Sequence, residues 1–172
     1  MISRICRDEL VGAVRSRLTS TDGPVVVGIS GYGGSGKSTL ARYLVAAFPD
    51  SLMLCVDDYY APIPLPDDDW AAYDRNQLRG ALSAQLESAS SKLIICEGVG
   101  LFHPDTLDQF DVKVWVDVDL ETATNRGRKR DREEYNVDHE RLWTEEWEPT
   151  ERRFDAKHDP KGKADYWVSG ER

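Results

Sequence analysis

The sequence predicts an α/β fold in which a five-stranded parallel sheet is covered by helices on both faces. Three observations carry this. Short β-branched runs alternate with helical patterns along the chain, the signature of parallel βαβ units. The first of these runs, VVVGIS, is continuously apolar rather than alternating, as a strand buried on both faces is. A length of 172 residues with 40% hydrophobic and 31% charged side chains suits one domain with a sizeable core, without repeats or low-complexity linkers.

The elements follow in order. Residues 5–19 place Leu10, Val11, Val14 and Leu18 on one helical face, predicting a leading helix. Asp22-Gly23-Pro24 is a turn signal, and Val25 to Ser30 is the first buried strand. The next helix carries Leu40, Leu44 and Phe48 at four-residue spacing and stops before Pro49. Leu52 to Val56 is a second strand, followed by a proline-rich acidic loop whose Asp67, Asp68 and Asp69 read as a solvated face rather than a metal site. Leu78, Leu82 and Leu86 mark another helix. Lys92 to Cys96 is a third strand, Val112 to Val118 a fourth, 119–148 a highly charged helical stretch, and Tyr166 to Ser169 a fifth strand. In such sheets ligands bind beyond the carboxyl ends of the strands, so the informative positions lie just after 30, 56, 97 and 118.

Composition narrows the function classes. A net charge of -9 argues against a nucleic-acid surface. No apolar run approaches the roughly 20 residues that cross a bilayer, and charge within the first ten residues leaves no secretory signal. Cys6, Cys55 and Cys96 form no C-x-x-C pair, and an odd count argues against a disulfide framework. The expectation is a cytoplasmic protein without a membrane or nucleic-acid partner; self-association into a homo-oligomer stays open.

Directly after the first strand comes Gly31-Tyr32-Gly33-Gly34-Ser35-Gly36-Lys37-Ser38-Thr39, which satisfies G-x-x-x-x-G-K-S/T between a strand and a helix. The glycines let the backbone turn tightly and aim N–H groups at anionic oxygens, and the following helix adds its positive end. Lys37 can reach the β- and γ-phosphates and the Ser38 hydroxyl can ligate Mg²⁺. Bound nucleoside triphosphate and the three-layer fold of P-loop NTP hydrolases follow. The loop alone does not choose the reaction. D-x-x-G, N-K-x-D and an LSGGQ-like signature are absent, and the third strand runs into Cys96-Glu97-Gly98 without an Asp-Glu pair. A small phosphotransferase remains.

At this point the chain resembles the uridine kinase-like P-loop kinases, a family that includes phosphoribulokinase and nicotinamide riboside kinase. The resemblance runs from Gly28-Ile29-Ser30-Gly31 through Val56-Asp57-Asp58-Tyr59-Tyr60, Ile94-Ile95-Cys96-Glu97-Gly98 and Phe110 to Asp117. It continues through Arg126-Gly127-Arg128-Lys129-Arg130-Asp131 and Trp147-Glu148-Pro149 to Ala164-Asp165-Tyr166-Trp167-Val168, about residues 25 to 170. Two departures stand out. The base-gripping hairpin of uridine kinases, which precedes the third strand, has no counterpart before Lys92. Family members usually continue into a further helix beyond the position of Arg172. The resemblance therefore implies kinase chemistry more firmly than a uridine acceptor.

It also implies roles. Asp57 matches the family's catalytic aspartate, which accepts the acceptor hydroxyl's proton; a solvated loop acid or cap is the competing reading. Asp58 is the fallback or a Mg²⁺ partner through water. Glu97, at a strand end beside the loop, holds Mg²⁺ through water or pairs with a helix N-terminus. Asp74 holds substrate hydroxyls or caps its helix. Tyr59 and Tyr60 either stack on substrate or pack beneath the loop. In a lid over about 120–135, Arg126 and Arg130 share a helix face and can stack on adenine and clamp the transferred phosphoryl group; Lys129 and Arg132 read as solvated. His103, His139 and His158 read as loop or surface residues, and Trp143 and Trp147 as a packing stripe. The expected activity is ATP- and Mg²⁺-dependent phosphorylation of a hydroxyl on a small metabolite, a nucleoside being one candidate. A nucleotide-binding regulatory module and a slow NTPase are the alternatives.

Overall fold

The computed structural model describes residues 2–60, 73–88 and 90–170. The acidic run Asp67, Asp68 and Asp69 lies outside them. Six strands form one sheet: β1 (Ser3–Ile5), β2 (Val25–Ser30), β3 (Leu52–Cys55), β4 (Leu93–Glu97), β5 (Val112–Asp117) and β6 (Tyr166–Ser169). Their order is β1-β6-β5-β2-β4-β3, and every pairing is parallel. The central strand β2 pairs with β4 on one side and β5 on the other. The strand that follows it in sequence, β3, is displaced to the edge beyond β4. The connections thus diverge at the carboxyl end of β2, the switch point at which such sheets form a crevice.

The helices are α1 (Arg7–Thr19), α2 (Lys37–Ala47), α3 (Arg75–Ser88), α4 (Leu120–Glu133), α5 (Glu140–Leu142) and α6 (Glu148–His158), with a π-helical turn at Trp143–Trp147 joining α5 to α6. Strand alternation splits the core into two layers. Val25, Val27, Ile29 and Ile95 face Leu10 and Val14 of α1 and Leu40, Ala41 and Leu44 of α2. Val26, Ile94, Cys96 and Trp115 face Leu78 and Leu82 of α3 and Phe154 of α6. All six residues of β2 are buried, which is why its apolar run is unbroken. Among the described residues no helix is long and apolar enough to cross a membrane.

Three boundaries differ from the sequence reading. The sheet has six strands, not five, because β1 is only three residues and its side chains are mostly exposed. Backbone pairing to β6 holds it, with Arg4 stacked 5.0 Å over Trp167 and ion-paired to Asp117 at 3.0 Å. The leading helix accordingly starts at Arg7, where Glu9 reaches back to the Cys6 amide at 2.7 Å. The charged stretch is not one helix. α4 ends at Glu133, the chain passes Asn136 in the left-handed region (φ 52°), and helix resumes at Glu140. Asn tolerates that conformation.

Candidate active site

The phosphate loop connects β2 to α2 at the switch point. Gly34 (φ 84°) and Gly36 (φ 103°) take left-handed backbone conformations that a side chain would strain. A Cβ at Gly34 would also collide with the Ala123 carbonyl of α4 and stand 2.7 Å from the Gly127 amide. The loop is therefore pressed directly against α4. Lys37 begins α2 with only 7% of its surface exposed, and its Nζ donates to the Tyr32 carbonyl at 2.8 Å. Burial pushes its pKa down, while the carboxylates of Glu151, Glu97 and Asp57 act in the opposite sense.

Ser38, one residue on, donates from Oγ to Glu97 Oε1 at 3.0 Å. Glu97 closes β4 and is 3% exposed; the Cys55 thiol reaches the same oxygen at 3.3 Å. Burial, then the charge of Glu97, pushes that thiol up to about 12, so it stays protonated. From the end of β3 the chain enters a 3₁₀ turn (Val56–Tyr59) that sets Asp57 at the crevice.

A cleft of about 340 Å³ opens there, lined by Gly33, Gly34, Lys37, Ser38, Asp57, Tyr60, Glu97, Gly98, Val99, Arg130, Trp143, Trp147 and Glu151. A second cavity of about 200 Å³ is lined by Gly34, Gly36, Lys37, Ser38, Thr39, Arg42, Arg126, Arg130, Glu134 and Tyr135. The two share Gly34, Lys37, Ser38 and Arg130. A two-chambered site results, with Lys37 of the loop and Arg130 of α4 common to both chambers.

The structure thus brings together most of the residues singled out from sequence. Asp57, Tyr60 and Glu97 line the first cleft, Thr39 and Arg126 the second, and Lys37, Ser38 and Arg130 both. Gly31 and Ser35 are buried in the loop between them. Arg126 Nη1 donates to the Gly170 carbonyl at 2.9 Å. Arg130 is held by Asp131 Oδ1 at 2.7 Å and lies 5.2 Å over the Tyr135 ring.

Two residues are elsewhere. Asp58 is exposed and lines neither cavity. Asp74 caps α3: Oδ1 accepts from the amides of Asn76 (2.9 Å) and Gln77 (3.1 Å), and Oδ2 from the Gln77 side chain (3.0 Å). The bonds from Gln77 hold its pKa down, and it lines neither of these cavities; the cap is the role its geometry shows. Of the tyrosine pair, Tyr59 packs against the α3 side of the core while Tyr60 is 69% exposed at the cleft. His103 and His139 lie in connecting segments, as expected, while His158 ends α6; all three are half-buried. His103 and His158 stack on each other (4.8 Å between centroids), and His139 stands against Trp147 (5.4 Å).

Sequence reasoning missed the cover of the site. Trp143 and Trp147 do pack edge to face at 4.8 Å, but both also wall the first cleft. Trp143 Nε1 donates at 2.8 Å to Asp131, which is 2% exposed and also bonds Arg130 and His139. Burial alone would raise the Asp131 pKa; these hydrogen bonds outweigh it and lower it. Glu151 of α6 is 4% exposed, and both its oxygens accept from the Gly33 amide at 3.1 and 3.0 Å. Burial pushes its pKa up to about 7 against the pull of Lys37 and Gly33. As a first-turn acid behind Pro149 it looks like ordinary helix chemistry, and no local signal sets it apart.

Sheet order, loop and switch-point crevice define a P-loop α/β fold. Within that class the chain is similar to a uridine kinase of Streptococcus agalactiae, 25% identical over 64% of this chain and 69% of the relative. Solved structures agree on the fold. A protein of Silicibacter sp. put forward as a fructose transport system kinase aligns with a TM-score of 0.74 at 18% identity, covering 95% of this chain and 98% of that one. A Bacillus stearothermophilus protein described as a possible uridine kinase gives 0.67 at 19% identity, covering 94% and 96%. A gluconokinase of Sinorhizobium meliloti gives 0.57 at 16%, covering 88% and 86%. No protein-family model matches the chain. The likeness to uridine kinase-like P-loop kinases carried by the motifs is thus matched by the fold.

Proposed function

We propose that this protein is a single-domain, ATP- and Mg²⁺-dependent kinase that transfers the γ-phosphoryl group to a hydroxyl of a small metabolite. One observation carries the reading: a phosphate-binding lysine and an exposed carboxylate, Lys37 and Asp57, line the same cleft at the carboxyl ends of β2 and β3. That is the arrangement for holding a donor phosphate and an acceptor hydroxyl in line, and positioning supplies most of the catalysis in phosphoryl transfer.

Lys37 and the loop amides hold the triphosphate. Asp57 accepts the proton of the acceptor hydroxyl and aims its oxygen. Arg126 and Arg130, on the lid helix α4, clamp the phosphates from the second cavity and exclude water. The Ser38–Glu97 pair fits Mg²⁺, which keeps most of its waters and takes hard oxygen donors from one or two protein groups. When bound, the ion neutralises phosphate charge.

The test is ATP consumption against a panel of nucleosides, sugars and vitamins, with the phosphorylated product identified by mass spectrometry. The reading stands if one acceptor yields a phosphorylated product and Asp57→Asn loses that turnover. Tight ATP binding with no acceptor would instead make the protein a regulatory module, and phosphate release without a phosphorylated product a slow NTPase.

A further inference from the structure

The transfer chemistry gives no task to Glu151, yet this residue occupies the most telling place in the site. Its carboxylate is buried, receives the Gly33 amide on both oxygens, and is the strongest charged neighbour of Lys37. The fit is close: a Cβ at Gly33 would stand 2.9 Å from Oε1. A loop amide and a lysine side by side are what a phosphate oxygen seeks, and carboxylate and phosphate compete for the same donors. A buried carboxylate is sustained only by such partners. One N–H cannot serve two anions, and like charges pressed together in a desolvated site repel.

We propose that the Glu151 carboxyl is a resident occupant of the phosphate loop, which an incoming polyphosphate must displace from the Gly33 amide. The inference rests on the nucleotide-binding reading above and adds a step to it. The helical stretch that carries Glu151 also carries Trp143 and Trp147, the aromatic wall of the first cleft. The Trp143 ring itself packs within 2.9 Å of a Cβ built on Gly33. Eviction of the carboxylate therefore reaches the acceptor side, and the donor nucleotide prepares the cleft for the acceptor.

The experiment titrates inorganic tripolyphosphate, with ATP alongside, into the full chain and into E151Q and E151A, read by calorimetry. At pH 8, where the Glu151 carboxyl is charged, removing it should tighten both ligands at least about tenfold in either variant. Equal or weaker binding in both variants overturns the inference and leaves the kinase reading standing. If neither ligand binds the unaltered chain, the nucleotide reading falls and the inference with it. Should the variants fail to fold, the unaltered chain decides by NMR. The Glu151 carboxyl ¹³C and Gly33 amide resonances must both move as tripolyphosphate saturates the site, and an unmoved Glu151 carboxyl overturns the inference.

Discussion

The phosphate loop has two neighbours built on opposite principles. On one side, α2 is fixed by Leu40, Ala41 and Leu44, each at most 2% exposed, against the aliphatic side chains of β2 and β4. On the other, the cover formed by α4 through α6 touches the loop by close packing at Gly33 and Gly34 and by the Glu151 hydrogen bond, and is itself held together by charge. Asp131 gathers Arg130, His139 and Trp143, and Glu151 grips the Gly33 amide. Apolar burial is indifferent to what binds nearby, whereas a polar contact to the loop is remade when an anion arrives. The first side is a mount, and under the Glu151 proposal the second is a responsive cover.

That contrast can be broken in graded steps. Asp57→Asn, at an exposed position between the two regions, should lower kcat by about 10²- to 10⁴-fold. Initial rates and a thermal melt check this, the melting temperature being expected to hold. Leu44→Ala strikes the mount and should cost about 4 kcal/mol, read by denaturant titration, while kcat of the folded fraction is retained. Asp131→Ala strikes the cover. It strands the buried Trp143 N–H and releases Arg130, at a similar cost of about 3 kcal/mol, but here nucleotide affinity should fall as well. Equal insensitivity of ligand binding to both substitutions would erase the distinction.

The cover should also respond to pH. Glu151 holds its proton up to about 7 in the folded chain against 4.5 as an ordinary carboxyl. The folded state therefore binds more protons between those values, and stability falls as pH rises from about 4.5 to 7, then levels off. The loss is at most about 3 kcal/mol, and E151Q should flatten it in denaturant titrations at successive pH values. Smallest of all, Arg4→Ala at the sheet edge should cost under about 1 kcal/mol.

The same contrast explains what the sequence discloses. The mount was legible because its signals are local: an unbroken apolar strand, then the glycine loop, then leucines at helical spacing, all within residues 25–48. The cover was not, because its meaning is nonlocal. Glu151 acts on a glycine 118 positions away. Asp131 looks like a lone acid diluting a basic run, and only the fold turns it into the point on which three side chains converge. The place of Asp57 at the cleft is legible from its position after a strand, and the cap that Asp74 makes on α3 is legible from its place at a helix start. β1 escaped notice because three half-polar residues make no pattern at all.

That small strand has a consequence of its own. Without it, β6 would present an open ladder of amides and carbonyls beside Tyr166 and Trp167, an invitation to pair with another molecule. β1 fills the ladder on that side and is too short, and with Arg4 too charged, to template a neighbour in turn. A stub of three residues thus closes that side of the sheet to edge-to-edge pairing.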